Sequence, residues 1–502
     1  MKLTVIIPSD DWRNTAGVRI RYARLAPRLA ALGHRLDLQP ITDFRAGASF
    51  DSDVYLFSKT YDAGAVVLAR QIRASGRRVG VDVFDDYFSQ SRDSRLVHMR
   101  RWFRDLAGGL DFALCATAPM AARLAGLIAD VPVHVVNDPV EGFDRKAAAA
   151  NLARNADRAR KMRRLDIGWF GIGDNPYFSV GLEDLHAFSH ALAAHHRPGY
   201  ALRLRVLTNL RALTPERLEM LSRMPMEITL DEWSEEGERA LFAESLACFL
   251  PVNGQPFSSV KSLNRALSTL SAGCQVLSVG HPLYDSFDAF LYRDLPTLVQ
   301  DVERDSLRLS AATLDAFAAR LAELGDAGHE AAELIRFLQD VPAPRARDWP
   351  ARGQQVAVLH GMGSTGEVHK AAQRLGCLSV AAPQSTMKVN YDVIGKPRPD
   401  GNGLDVILSK RAAARLSATQ ARRTKPAGEA GGKPIYRLHL KEADLPGAGQ
   451  MQRPARPPEQ IAELARYGRV LTLSRQMLEH LFGPLEIVLS ERMSPYCEEP
   501  AA

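Results

Sequence analysis

The chain has 502 residues, too many for one hydrophobic core, and this length predicts roughly three domains. Hydrophobic residues make up 46% and charged residues 24% of the chain, ordinary values for a folded globular protein that exclude a disordered one. The net charge of +6, from 64 basic and 58 acidic side chains, suits an anionic small molecule or a membrane surface, but a solvated arginine-rich surface explains it better.

Strands and helices alternate from the N-terminus. Residues 3–7 predict a strand, and an amphipathic helix with apolar positions from Val18 to Leu32 ends at Gly33. Further strands are predicted at 35–38, 53–57, 78–83, 112–116 and 133–136, and further helices at 65–75 and 119–128. This alternation predicts a parallel, doubly wound sheet. We assign residues 1–150 to a first Rossmann-like domain.

A second set of alternating elements follows an Ala-, Arg- and Lys-rich helical stretch at 143–164, which has no clear apolar stripe and is predicted to connect two domains. Strands are predicted at 165–170, 202–207, 226–230, 247–252 and 275–279, and helices at 182–194, 236–244 and 263–272. We assign residues 165–340 to a second Rossmann-like domain. Two such domains form a cleft at the carboxyl ends of their strands, where open α/β sheets bind ligands.

A Pro-, Ala- and Arg-rich segment at 341–353 marks another boundary, and residues 354–502 predict a smaller C-terminal α/β domain with flexible insertions. Residues 361–366 have the Gly-x-Gly-x-x-Gly spacing of a dinucleotide-binding turn. The next strand ends without an acidic residue for the ribose, so we expect no dinucleotide there, although Ser385 and Lys388 keep an NADP alternative open. An accessory domain for acceptor or partner binding is expected.

The cysteines and the apolar runs indicate in which cellular compartment the protein is expected. The five cysteines form no Cys-x-x-Cys pair, and most lie in apolar runs, which predicts buried thiols in a reducing compartment. Residues 1–8 are too short an apolar run for a signal peptide, and charged residues interrupt the most apolar stretch, 109–136. We expect a cytoplasmic protein, with the inner face of the membrane as an alternative location.

The stretch 256–265 carries the strongest chemical signal. A Ser-rich turn follows the predicted strand 247–252 and enters a predicted helix, so free backbone N–H groups would face the cleft and bind a diphosphate. Lys261 and Arg265 are four residues apart, a spacing that places both cations on one helical face, within reach of one anion. The alternative is the start of a surface helix with two solvated cations.

This stretch, Pro256-Phe-Ser-Ser-Val-Lys-Ser-Leu-Asn-Arg265, resembles the donor-binding element of GT-B glycosyltransferases similar to glycosyltransferase family 4. In those enzymes a small-residue turn enters a helix that ends in a Gly, here Gly273. The resemblance spans about residues 1–300. It includes Thr15-Ala-Gly-Val-Arg-Ile-Arg21 on the acceptor side, Trp169-Phe-Gly171 at the first strand of the nucleotide domain and Leu230-Asp-Glu-Trp233 beside the nucleotide base.

The resemblance implies a retaining, metal-independent hexosyltransferase that moves a sugar from a nucleotide donor to a glycan, lipid or other acceptor, as in polysaccharide biosynthesis. It implies no cofactor besides the nucleotide-sugar co-substrate, no nucleic-acid partner, and catalysis by Lys261, Arg265 and backbone N–H groups at the leaving phosphate. The donor-binding candidates are Gly17, Arg19, Asn209, Glu232, Trp233, Phe257, Ser258, Ser259, Lys261, Asn264 and Arg265.

For two of these candidates, Gly17 and Asn209, a purely structural role is the alternative to donor binding. Gly17 lacks a Cβ and would let its loop approach the donor phosphates, or it would simply permit a tight turn between strand and helix. Asn209 follows a predicted strand and could touch the donor, although an Asn at such a position more often forms a turn.

Three aspartates, Asp82, Asp85 and Asp86, cluster at the carboxyl end of the predicted strand 78–83. Asp85 and Asp86 are candidate catalytic residues, as a general base for an acceptor hydroxyl or a ligand of it; capping the next helix is the competing role. No Asp-x-Asp flanks a nucleotide strand and the 13 histidines show no His-Glu-x-x-His spacing, so no metal is expected.

The sequence departs from the family in three places. Ser268 stands where the second Glu of the family's Glu pair would lie, the segment 171–177 has no basic residue, and the loop 82–87 has no His. Lys261 and Arg265 would therefore supply the phosphate charge. These departures leave the donor open and keep two alternatives, a noncatalytic nucleotide-sugar-binding relative and a sugar-nucleotide epimerase.

Overall fold

The computed structural model describes residues 1–344 apart from 46–47, 62, 92 and 194–198, together with a set of strands beyond residue 355. Two separate six-stranded sheets organise the first 344 residues, and every strand pair in them is parallel. Within the described part of the chain, no helix is both long enough and apolar enough to cross a bilayer.

The first sheet has the strand order β2-β1-β3-β4-β5-β6. Its strands are β1 (Lys2–Ile7), β2 (Arg35–Pro40), β3 (Val54–Ser58), β4 (Arg78–Val83), β5 (Phe112–Cys115) and β6 (Val133–Val135). The helices are α1 (Ala23–Ala31), α2 (Ala63–Ala74), α3 (Val97–Ala107) and α4 (Ala118–Leu127), with a π-helical turn, Val18–Tyr22, directly before α1. Strands β3 and β5 are buried at every position, as expected where helices cover both faces of a parallel sheet.

The second sheet has the order β9-β8-β7-β10-β11-β12, the 3-2-1-4-5-6 arrangement of dinucleotide-binding domains. Its strands are β7 (Arg164–Phe170), β8 (Ala201–Thr208), β9 (Glu227–Glu232), β10 (Ala247–Phe249), β11 (Gln275–Leu277) and β12 (Leu291–Tyr292). The helices are α5 (Arg145–Met162), α6 (Leu182–Ala187), α7 (His190–Ala193), α8 (Pro215–Ser222), α9 (Glu235–Glu244), α10 (Asn264–Ser271), α11 (Leu295–Arg304), α12 (Leu314–Leu324) and α13 (Ala327–Asp340). The predicted architecture of two doubly wound domains is confirmed.

The connecting helix α5 is packed against the second domain although it has no apolar stripe. Its buried face consists of small residues, Leu152 and two asparagines. The amide of Asn151 donates hydrogen bonds to the carbonyl oxygens of Phe242 and Ala272, and that of Asn155 donates to Ser245. These carbonyls lie at helix ends, where backbone acceptors lack partners within the helix. The asparagines therefore replace the apolar stripe that the sequence lacks.

Helix α13 lies against the first domain, not the second. Its residues Ala331, Leu334, Ile335 and Leu338 belong to the same buried cluster as the apolar side chains of β1 and α1. The carboxylate of Glu330 accepts hydrogen bonds from the backbone and side chain of Asn137, at 2.9 and 2.8 Å. The chain thus crosses between the domains twice, and residues 327–340, predicted at the end of the second domain, pack on the first.

Beyond residue 355 the described strands form two further sheets. Strands β13 (Val356–Val358) and β14 (Leu378–Val380) pair in parallel. Five more strands form a mixed sheet in the order β15-β16-β19-β18-β17; they are β15 (Val393–Pro397), β16 (Gly403–Leu408), β17 (Pro426–Ala430), β18 (Lys433–Arg437) and β19 (Val470–Ser474). The Gly-x-Gly-x-x-Gly segment at 361–366 lies outside the described residues. A separate C-terminal domain stays a prediction.

Candidate functional site

The carboxyl ends of the two sheets meet at the segment 250–263, which follows β10. This segment belongs to the second domain but is bonded to the first. The hydroxyl of Thr117 donates to the carbonyl oxygen of Val260 at 2.9 Å, and Arg123 donates to the hydroxyl of Ser259 at 2.8 Å and to the carbonyl of Pro256. Strands β7 and β10 adjoin here at the point where the strand order reverses, the usual ligand-binding position of such folds.

Arg265 lies on the first turn of α10 and packs against the end of β7. Its guanidinium carbon is 5.1 Å from the ring centroid of Trp169 and 5.2 Å from that of Phe170. Gly171 has a φ of +147°, and a Cβ there would lie 3.5 Å from the same guanidinium. The Nε and Nη2 atoms of Arg265 are buried and have no hydrogen-bond partner among the described residues. Buried N–H donors without an acceptor are unfavourable, so these two donors of the partly buried guanidinium favour an anionic ligand.

Lys261 is not on the helix, and the prediction that Lys261 and Arg265 share one helical face is wrong. Helix α10 begins only at Asn264, and the backbone of Lys261 is extended, with φ −59° and ψ 156°, after the 3₁₀ turn Ser258–Val260. Its ammonium group forms an ion pair with Asp85 of the first domain and lies 3.9 Å from the ring centroid of Phe257. The two cations therefore contact different residues.

The adjacent aspartates Asp85 and Asp86 face different partners. Asp86 is buried, and its carboxylate accepts from the backbone N–H groups of Phe88 and Ser89, from the Ser89 hydroxyl, and from Arg123 at 2.6 Å. It closes the turn after β4. It does not cap the next helix, the competing role left open by the sequence, because that helix, Ser94–Leu96, is capped by Asp93. Asp85 points to the cleft and pairs with the two lysines Lys59 and Lys261.

The charge state of Asp85 is set by these two lysines. Burial would raise the pKa of its carboxyl group, but the charges and hydrogen bonds of Lys261 and Lys59 outweigh burial and hold that pKa well below the ordinary range. Asp85 is therefore ionised at neutral pH while both lysines contact it.

Asp82, the penultimate residue of β4, is a structural residue of the first domain. It accepts from Arg21 at 2.5 Å and from the hydroxyl of Tyr22 at 2.7 Å, and Arg21 also pairs with Asp138. All four side chains are buried. Although burial opposes the charged form, the two aspartates raise the pKa of Arg21. This network fixes the turn Val18–Tyr22 against the ends of β4 and β6.

Lys59 is a residue that the sequence analysis missed. It follows β3, at the same edge as Asp85, and its backbone has a φ of +53°. Non-glycine residues rarely adopt this left-handed conformation, and such residues concentrate at functional sites. Its ammonium group lies 3.3 Å from Asp85 and 5.1 Å from the ring centroid of Phe84. The only sequence signal was a lysine at a predicted strand end.

Gly17 does not need to be glycine for its backbone conformation. Its φ of −60° and ψ of −44° are helical, so the tight-turn interpretation is wrong. A Cβ would lie 3.5 Å from the ring of Phe84 and 3.7 Å from Cε of Lys59, which is ordinary contact. Gly17 thus lies next to the lysine that contacts Asp85.

A cavity of about 530 Å³ opens between the two domains and the connecting helix. Arg19, a predicted donor residue, lines it; its guanidinium pairs with Glu235 at 2.6 Å and lies 4.4 Å from the ring centroid of Trp233. The other lining residues include Arg24, Asn151, Arg154, Glu238, Arg239, Phe242, Ser268 and Ser271. The volume falls within the range of small-molecule sites, about 300–1,000 Å³.

Glu238 lines this cavity and is bonded to Trp233. Its carboxylate accepts from the indole N–H of Trp233 at 2.7 Å. Burial raises the pKa of this carboxyl group, while Trp233 and the charges of Arg19, Arg24 and Arg265 oppose the rise.

The remaining predicted donor residues are spread over the domain interface and the sheet edge. Phe257 is buried, with its ring stacked 4.1 Å from Phe178 and 5.4 Å from Tyr87 of the first domain. Asn209 uses its amide for the neighbouring loop, accepting from the N–H of Gly173 and donating to Asp174. Ser258 is buried, Ser259 bonds to Arg123, Asn264 starts α10, and Glu232 is exposed at the end of β9.

The comparisons with known proteins find structural matches but no sequence matches. No family model matches the chain, and no curated protein matches it by sequence. Structural neighbours include GT-B glycosyltransferases at low sequence identity. The prediction of glycosyltransferase family 4 in particular stays a prediction.

Three of the similar solved structures illustrate the level of likeness. The sucrose-phosphate synthase from Thermosynechococcus elongatus has 12% identity and a TM-score of 0.47, over 67% of this chain and 98% of that one. An α,α-trehalose-phosphate synthase (UDP-forming) from Burkholderia xenovorans, in complex with glucose-6-phosphate, has 14% identity and a TM-score of 0.40, over 63% and 78%. An α-glucosyltransferase in complex with UDP and a 13-mer DNA has 10% identity and a TM-score of 0.46, over 68% and 100%.

Proposed function

We propose that this chain is a glycosyltransferase that moves a sugar from a nucleotide-diphosphate donor to a hydroxyl acceptor in the cleft between its two domains. The observation that carries the proposal is Arg265, whose buried Nε and Nη2 have no partner among the described residues. It lies at the reversal point of the second sheet, where a diphosphate would supply the missing acceptor oxygens.

The cavity lined by Arg19 and Glu238 accommodates the nucleoside half of the donor. Its volume of about 530 Å³ is adequate, and its lining includes residues of α10, the helix that carries Arg265. The ring centroid of Trp233 lies 4.4 Å from the guanidinium of Arg19, which lines this cavity. Ser268, where the resembling family has a glutamate, also lines this cavity and is a neutral hydroxyl ligand for the ribose.

The chemistry follows from the charges around the cleft. The acceptor oxygen bonds to the anomeric carbon as the bond from that carbon to the diphosphate oxygen breaks, and the hydroxyl proton passes to Asp85. Negative charge grows on the leaving diphosphate, so Arg265 and Lys261 stabilise the transition state more than the ground state. Retention at the anomeric carbon, the outcome expected from the family resemblance, requires that the acceptor oxygen attack from the same face that the diphosphate leaves.

The test is release of nucleotide from UDP-, GDP-, dTDP- and ADP-glucose, offered one at a time, with water as the default acceptor and glucose or glucose 6-phosphate as added acceptors. We expect one nucleotide to be released above the level of heat-inactivated protein, and Asp85→Asn to release about a tenth or less while still binding that nucleotide. The anomeric configuration of a product, read by proton NMR, gives the stereochemistry.

Two outcomes would contradict the proposal. Nucleotide binding in a thermal-shift assay without any turnover would favour the noncatalytic binding protein. Conversion of the donor to an epimer without transfer would favour the epimerase.

A further inference from the structure

Two lysines from different domains share one carboxylate at the centre of the cleft. Lys59 and Asp85 belong to the first domain, and Lys261 to the second. The side chain of Lys59 is 25% exposed and that of Lys261 is 39% exposed, so Lys59 is the more enclosed of the two. With one carboxylate between two ammonium groups, the cluster has an excess of positive charge.

Lys59 is held in place by the first domain itself. Its left-handed backbone, φ +53°, directs the side chain along the ring of Phe84 toward Asp85, beside Gly17. Such a conformation in a non-glycine residue persists only where the surrounding structure enforces it. Lys261, in contrast, extends from a segment between a 3₁₀ turn and α10.

We propose that Lys59 is a positioning residue, which keeps the Asp85 carboxylate oriented and ionised when Lys261 turns to the donor diphosphate. This inference rests on the proposed function. A diphosphate carries more negative charge than one carboxylate, so it competes effectively for Lys261. Asp85 would then retain one cation instead of two, which makes it a stronger base than in the doubly paired state.

The titratable groups that face Asp85 are Lys59, Lys261, Tyr61 and Tyr87, while Asp86 turns to Arg123. The charge of Asp85 contributes to the raised pKa values of the two tyrosine hydroxyls, after burial. Both tyrosines are therefore neutral when Asp85 is ionised. Removing Lys59 leaves burial opposed by one lysine at most, so the pKa of Asp85 must rise.

The experiment compares Lys59→Asn with wild type, using the donor that the nucleotide screen identifies. Asparagine tolerates the left-handed backbone but has no charge. We expect kcat to fall about tenfold or more, and the acidic limb of the pH profile to move up by about one unit or more, because Asp85 is then protonated at higher pH. The Kd of the nucleoside diphosphate should stay within about twofold, because Lys261 and Arg265 are intact.

Two further variants separate positioning from simple stability. Lys59→Arg keeps the cation and should restore most of kcat and the original pH profile. Lys161→Met removes an exposed lysine of α5 and should change nothing. An unchanged acidic limb in Lys59→Asn, or a nucleotide Kd that weakens in step with kcat, would overturn the inference.

A readout without turnover separates this inference from the proposed function. In protein labelled with ¹³C at aspartate carboxyl groups, the resonance lost in Asp85→Asn identifies Asp85, and its titration should move to higher pH in Lys59→Asn. If wild type turned over no donor, the proposed function would fail, and this titration would still decide whether Lys59 controls Asp85. A carboxyl titration unmoved by Lys59→Asn would contradict the inference in either case.

Discussion

Asp85 and Asp86 show how neighbouring identical residues acquire different roles from their surroundings. The Asp86 carboxylate is fully used by two backbone N–H groups, a hydroxyl and Arg123. Arg123 in turn bonds to the second domain at Pro256 and Ser259. Asp86 therefore acts on the cleft only through Arg123, whereas Asp85 is in the cleft itself.

Replacing Asp86 by Asn should destabilise the protein, because it removes the charge that Arg123 pairs with inside the first domain. We expect a loss of about 1–3 kcal/mol in the free energy of unfolding, measured by urea denaturation. The matched control is Asp157→Asn, which breaks an exposed i,i+4 pair with Lys161 and should change stability by less than about 0.5 kcal/mol. Equal stability of Asp86→Asn and wild type would contradict this role.

At the scale of elements, local patterns predicted the strands well and the cross-domain packing poorly. Runs such as Val54–Ser58 and Phe112–Cys115 are buried on both faces, so an apolar run alone identifies them. The predicted helical face shared by Lys261 and Arg265 does not form, because a 3₁₀ turn and the extended residue Lys261 precede α10. Residue spacing alone does not show where a helix begins. The ion pair of Lys59 with Asp85 joins two strand ends, and its geometry depends on a backbone conformation that the sequence does not encode locally.

Helix α13 is an element whose destination the sequence did not indicate. Its amphipathic pattern predicts a buried face but not which domain covers that face. In the structure Leu334 is buried among first-domain side chains, 3% exposed.

Leu334→Ala should therefore destabilise the first domain by about 2–5 kcal/mol, the range for a buried leucine that leaves a cavity. Hydrogen exchange followed by mass spectrometry should show faster exchange in β1 and α1 with little change in β8 and β9. Arg336→Ala, an exposed change on the same helix, serves as the control. Faster exchange confined to the second domain would contradict the assignment of α13.

At the scale of the whole molecule, the two domains are held together by contacts that surround the proposed site. Thr117 and Arg123 bond to the segment after β10, Asp85 pairs with Lys261, and Arg19 pairs with Glu235. A donor bound to Arg265 would lie against contributions from both domains, so binding and closure of the cleft are expected to be coupled.

The central claim is that Arg265 binds the diphosphate of a nucleotide donor, and calorimetric titration with UDP, GDP, dTDP and ADP tests it most directly. Wild type should bind at least one of them, and Arg265→Met should weaken that affinity about tenfold or more, since a charge-assisted contact contributes about 1.5–3 kcal/mol. The matched control Arg223→Met removes an exposed arginine of the same domain, paired with Glu219, and should leave the affinity unchanged. Equal affinity in wild type and Arg265→Met, or a wild-type protein that binds none of the four nucleotides, would contradict the account.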